Sequence, residues 1–226
     1  MKPRAAGRFA GLPLPAWLIM LSSVPLLGGV ARLLHLSSSD PPAAEALRFA
    51  IAPLPVTLHI IAATFYCLVG AFQFDSGLQC RWLALHRLLG RLTVVCGLVV
   101  GLTGLWMTLA SEIPSGLQGE LLRVVRVAVA ASMVAFLVLG VMAIRAGQVR
   151  RHLAWMARAY ALVQGAGTQA LLLLPPTLAF GEITGLVRDL AMTAAWLLNL
   201  WVVEWVLAHL AQAPVARRAV GTRGQA

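Results

Sequence analysis

Residues 49–74 read FAIAPLPVTLHIIAATFYCLVGAFQF, a run without one Asp, Glu, Lys or Arg. About 20 apolar residues in a helix cross a hydrocarbon core of about 30 Å, so this run can span a bilayer. Its apolar positions are continuous rather than alternating, which argues against a barrel strand, and lipid offers no partner to an unpaired backbone group. The same reading extends outward to 14–31, 92–110, 127–144, 159–181 and 190–210, of which only the last holds a charged residue, Glu204. Six spans leave little of the 226 residues for a soluble domain. The expected fold is all-α: a polytopic membrane bundle of six transmembrane helices. It divides into 1–48 (N-terminal helix and outer linker), 49–212 (the helix bundle) and 213–226 (a basic cytoplasmic tail).

Composition agrees. The chain is 60% hydrophobic and 12% charged, whereas soluble domains carry about 25% charged residues. Its +10 net charge sits in short clusters between apolar runs, not along one polar face, which excludes a conventional nucleic-acid binder. Topology accounts for the charge instead. With the N-terminus cytoplasmic, the inner side holds Lys2, Arg4, Arg8, Arg81, Arg87, Arg91, Arg145, Arg150, Arg151, Arg158, Arg217, Arg218 and Arg223. The outer side keeps Arg32, Arg48, Arg123, Arg126 and Arg188, with the acids Asp40, Glu45, Glu112, Glu120, Glu182 and Asp189. Both termini are therefore expected in the cytoplasm. The preference for arginine over lysine points to a GC-rich bacterial genome, and the inner membrane is the location expected for such a chain. Cys67, Cys80 and Cys96 form no CxxC pair and no disulfide framework.

The first span follows a basic segment, but its apolar run is long for a signal peptide and no A-x-A site follows it at the right distance, so it reads as a retained helix with Pro25 inside. Pro53 and Pro55 suit the opening turn of span two, and Pro175-Pro176 is expected to interrupt the end of span five. Short loops at 75–81, 111–119, 145–151 and 182–188 make consecutive helices antiparallel. The polar 36–48 segment reads as a linker that sets helix one apart from a core of helices two to five.

Histidines are the residues that could carry chemistry, because an imidazole inside a bilayer must face a partner, a cofactor or a cavity. His86 and His152 stand near the inner ends of spans three and five, which run in the same direction, and their depths differ by about one turn. Each is followed by an arginine five or six residues deeper, Arg91 and Arg158, and Gly90 lies on the face of His86 where a flat ring could approach the backbone. Two histidines on facing helices with arginines for propionates can hold a b-type haem. The alternative is an interfacial pair beside arginines that snorkel to phosphate headgroups. His59 is about 13 residues, or roughly 20 Å, further from the inner surface. It needs a different partner: an interhelical hydrogen bond to Thr or Gln, or a second iron site completed by Met133 of span four. Ser132, Gln164, Thr168, Gln169 and Thr193 share its layer. Arg158 and Glu204 match in depth and suggest an ion pair. Arg123 and Arg126 could hold an outer anion or lipid phosphate. His35 and His209 read as interfacial, Trp196, Trp201 and Trp205 as packing and belt residues, and Gly97, Gly101, Gly104, Gly165 and Gly167 as close-packing positions.

The succession Leu58-His59-Ile60 with Gly70 and Gln73, then His86-Arg87-Leu88-Leu89-Gly90-Arg91, then His152 with Trp155-Met156-Ala157-Arg158-Ala159-Tyr160, resembles the bacterial membrane proteins grouped as domain of unknown function 2306. The resemblance covers roughly residues 50–210 and implies six or seven membrane helices without a settled activity. The layout is also similar to the transmembrane ascorbate-dependent b-type cytochromes, whose core helices hold two bis-histidine haems. In that likeness His86 and His152 match the third-and-fifth-helix pair and His59 matches half of the other, while the fourth span lacks its histidine. Two functions follow as expectations. One is a haem-b electron-transfer protein that exchanges electrons with a quinol or another redox partner in the bilayer. The other is a cofactor-free small transporter or assembly protein with a polar layer around His59.

Overall fold

The computed structural model describes residues 8–9, 12–38, 47–111, 113–114 and 116–212. Most of the expected linker and the whole basic tail lie outside these residues, as do the charges at 2, 4, 40, 45, 112, 217, 218 and 223. A two-residue antiparallel pair, β1 (Arg8–Phe9) with β2 (Leu12–Pro13), precedes the helices. They are α1 (Leu14–Leu36), α2 (Leu47–Ile51), α3 (Pro53–Phe72), α4 (Ser76–Arg81), α5 (Leu83–Ala110), α6 (Glu120–Arg145), α7 (Val149–Phe180) and α8 (Gly185–Gln212).

The six expected spans are α1, α3, α5, α6, α7 and α8. Five of them are long and apolar enough to cross a membrane. The remaining helix, α7, has 32 residues, and its middle carries Gln164, Thr168 and Gln169. Those residues are buried because α7 packs against α1, α3, α6 and α8. Exposed positions such as Leu27, Ile51, Phe180 and Trp201 are apolar, as a lipid-facing surface requires.

Around the core, α3 packs on α5, α5 on α6 and α6 on α7, and α7 returns to α3. This is a four-helix ring with antiparallel neighbours, in which α5 and α7 run parallel on one diagonal. The turns after α3 and after α6 mark its proximal end; those after α5 and α7 mark its distal end. Helix α1 lies against α3 and α7, and α8 against α7 and α6.

Lipid tails are as apolar as leucine, so helix association here depends on close packing and interhelical hydrogen bonds. Gly97 leaves room for Tyr66, whose Cε2 lies 2.5 Å from where a Cβ would stand, and for Leu137; Gly165 admits the Trp196 indole. A polar thread crosses three helices. Tyr160 Oη donates to the Cys67 carbonyl (2.7 Å) and accepts from Gln164 Nε2 (3.0 Å). The same amide nitrogen donates to the Leu18 carbonyl, and Ser22 Oγ donates to Gln164 Oε1 at 2.9 Å. Helix α1 is thereby fastened to the core by buried groups. Removing the hydroxyl in Tyr160→Phe leaves the Cys67 carbonyl and one Gln164 proton short of a partner, a loss of about 1–3 kcal/mol in unfolding free energy. Denaturation in detergent measures it, and an unchanged midpoint contradicts the thread.

Three local expectations are revised. Span two is broken at Ala52 (φ −132°, ψ 75°), because the residue before a proline is driven out of the helical region by the ring of Pro53. The 75–81 segment is largely helical, since Asp75 Oδ2 accepts from Leu78 N at 2.9 Å and caps α4. Helix α7 continues through Pro175-Pro176 to Phe180. The prolines free only carbonyls in the last turns, a loss membrane helices tolerate.

Candidate functional site

At the proximal end, α5 and α7 begin within a few residues of His86 and His152. Both rings therefore belong to the proximal ends of the two parallel helices. His152 Nδ1 lies 2.9 Å from the Gly140 carbonyl on α6. A carbonyl can only accept, so Nδ1 carries the proton and Nε2 keeps a lone pair. His86 Nδ1 is buried without a hydrogen-bond partner, and so is Gln73 Nε2 at the end of α3. Gly90 lies against the glutamine: a Cβ there would stand 3.1 Å from Gln73 Oε1. The space left by Gly90 thus admits the Gln73 amide.

The two arginines divide. Arg91 is exposed. Arg158 donates from Nε and Nη2 to the two carboxylate oxygens of Glu204, and its guanidinium lies 4.7 Å above the Trp155 ring. The depth match between Arg158 and Glu204 is therefore realised as a bidentate pair.

Toward the distal end, all six long helices surround a cavity of about 450 Å³. His59 and Met133, from α3 and α6, both line it. His59 Nδ1 is 2.9 Å from Thr103 Oγ1 on α5, and the Thr103 hydroxyl in turn donates to the Val99 carbonyl. The ring lies beside Gly104, where a Cβ would meet His59 Cε1 at 3.6 Å, an ordinary van der Waals contact. The partner of His59 is thus a threonine one helix away.

The polar layer expected around His59 is split by the packing. Gln169 lines the cavity while donating to the Met192 carbonyl. Gln164 serves the α1–α3–α7 thread, Thr168 donates to Asn199 Oδ1 (2.9 Å), and Thr193 donates back to Asp189 O within α8. Thr168, Asn199 and the Trp196 indole, which donates to the Leu162 carbonyl, form an α7–α8 seam. Arg123 pairs with exposed Glu120 at 3.5 Å, and Arg126, on the cavity wall, donates to Gln118 Oε1.

One residue carries more than its sequence context suggested. Asp189, read as an outer acid, is 2% exposed, and its carboxylate accepts from Gly119 N and Leu122 N at the start of α6. The signal was there: Gly119 precedes α6 without a side chain that could cap it.

Comparison with known proteins places this geometry in a family. The family model described as Predicted membrane protein (DUF2306) matches residues 56–207, which include α5, α6 and α7 in full and most of α3 and α8, so the chain belongs to that family. No curated protein and no solved structure matches it.

Proposed function

We propose that this member of the DUF2306 family is a membrane electron-transfer protein that holds one b-type haem between His86 and His152. The observation that supports the reading is the pair of buried, unpartnered nitrogens, His86 Nδ1 and Gln73 Nε2, in the layer of a histidine whose other nitrogen is already fixed. An orphaned buried polar group costs about 1–3 kcal/mol, and a group bound in that layer would relieve it. The donor chemistry fits: the Gly140 carbonyl sets the His152 tautomer and ring direction, the outer-sphere contact that metal-ligating histidines commonly make. Bound haem would supply a reversible one-electron couple, with a quinol or another redox protein as partner. Arg91, exposed on α5, is a basic group that could meet a propionate. The arginine excess on the proximal side supports an orientation with that end toward the cytoplasm, in a bacterial inner membrane.

A reduced-minus-oxidised absorbance spectrum of detergent-purified protein from haem-supplied cells tests this. The expected result is a sharp reduced α band, lost in both His86→Ala and His152→Ala. Folded wild-type protein without a Soret band overturns it.

A second reading draws on the Arg158–Glu204 pair, which already engages one of the two arginines. In it the chain is a cofactor-free transporter or assembly protein, and the proximal histidines are interfacial. It requires a flat spectrum in wild type and both variants, with a growth or transport defect that follows His59.

A further inference from the structure

The distal cavity is built differently from the proximal layer. Its volume of about 450 Å³ falls within the range of small-molecule sites. The walls are mostly apolar and include Met107, Met133, Met192, Trp196 and Phe49. Thioether sulfurs make favourable contacts with aromatic rings, and the aromatic side chains prefer offset or edge contacts with another ring. Three methionines and two aromatic residues around one space select a flat aromatic ring over an aliphatic chain.

The polar feature that orients such a ring is His59. Because the Thr103 hydroxyl proton goes to the Val99 carbonyl, Thr103 Oγ1 accepts from His59, so Nδ1 holds the proton and Nε2 the lone pair. An acceptor in an apolar cavity calls for a ligand that brings a donor. Gln169 and Arg126 direct donors to the Met192 carbonyl and Gln118 Oε1, and the Thr64 and Thr108 hydroxyls donate to carbonyls of their own helices, while the His59 imidazole is the most basic acceptor among these lining side chains.

We propose that the distal cavity is a binding site for a lipid-soluble hydroxylated aromatic molecule of the phenol or hydroquinone class, whose hydroxyl donates to His59 Nε2. The site does not depend on haem at the proximal end. Binding needs no proton or electron transfer.

The test compares 2-naphthol with naphthalene, which has the same ring and no donor, by calorimetry on the full chain in nanodiscs. An unmet buried acceptor costs about 1–3 kcal/mol, so wild type is expected to prefer 2-naphthol by roughly tenfold or more. His59→Leu should remove that preference and still bind naphthalene. Ala63→Trp, which fills the cavity from α3, should remove both and serves as the background for partition into the bilayer. If His59→Leu fails to fold, His59→Gln supplies the readout, because a weakened preference is still expected from its altered reach. Equal affinity for the two probes in wild type overturns the proposal, as does a preference that survives in Ala63→Trp. A second haem per chain, lost in Met133→Leu, would also overturn it by giving the cavity to iron. The proximal haem reading stands or falls separately, on the spectrum of His86→Ala.

Discussion

Gly167→Ala is expected to pull α1 away from the bundle. A Cβ at residue 167 would run into the carbonyl oxygen and carbon of Leu21 on α1, and a backbone cannot rotate aside as a side chain does. Overpacking of this kind costs about 1–3 kcal/mol and sometimes more. The only relief is for α1 to withdraw, which also breaks the Ser22–Gln164 and Gln164–Leu18 hydrogen bonds, so the effect should lie at the upper end. Gly28 and Gly29 provide the controls. A Cβ on Gly28 meets nothing within 4 Å, and one on Gly29 meets only the flexible Ile60 side chain, at 3.0 Å. Alanine is the better helix former by about 1 kcal/mol, so Gly28→Ala should be neutral or stabilising. Hydrogen exchange of the α1 amides, read beside the unfolding midpoint in detergent, separates the two. Equal α1 protection in Gly167→Ala and Gly28→Ala would refute the packing of α1 on α7.

The contrast between these glycines also shows how far the sequence could be read. Runs such as 127–144 reveal a membrane helix because the bilayer constrains every residue on its surface alike. Depth along a helix was equally legible: counting from the turns brought Arg158 of α7 to Glu204 of α8, since antiparallel neighbours share a common rise per residue. Which face a residue presents, and to which neighbour, depends on rotation about each helix axis. For that reason Gly167, Gly101 and Gly104 looked alike as close-packing positions, although a Cβ on them would meet the Leu21 backbone, the Val134 side chain and, at an easy 3.6 Å, the His59 ring. For the same reason His59 could be assigned a hydrogen bond but not Thr103 as its partner. Met133 was placed at the right depth, and the structure puts it with His59 among the residues that line the distal cavity; Gln164 and Thr168, at a similar depth, turn toward α1 and α8. The linker reading of 36–48 suggested a detached first helix, whereas the polar residue that binds α1 is Ser22 inside the span. A serine in an apolar run is a weak signal, because its one proton can equally go to the carbonyl four residues earlier, and in Ser22 the Leu18 carbonyl at 3.0 Å competes with Gln164 Oε1 at 2.9 Å.

Asp189→Ala should be nearly as damaging, by a different physical route. The first amides of a helix have no partner inside it, and the N-terminus carries partial positive charge from the aligned peptide dipoles. Helix α6 starts after Gly119, which offers no acceptor, and the missing one comes from α8. Asp189 Oδ1 lies 3.2 Å from Gly119 N and Oδ2 lies 3.3 Å from Leu122 N. Leu122 is fully buried, so water does not readily replace the carboxylate. Loss of a cap costs about 0.5–2 kcal/mol, and the orphaned amides place this case at the upper end or beyond. Asp189→Asn keeps one acceptor oxygen and should retain part of the stability, ordering the series as wild type, Asn, Ala. Gly119→Ala approaches the same interaction from the other side, because a Cβ at residue 119 would collide with Asp189 Oδ2. Two lesions of one contact cannot add in full. The double variant should therefore lose clearly less stability than the sum of the two single losses, and a fully additive result would mean that Asp189 does not hold the start of α6.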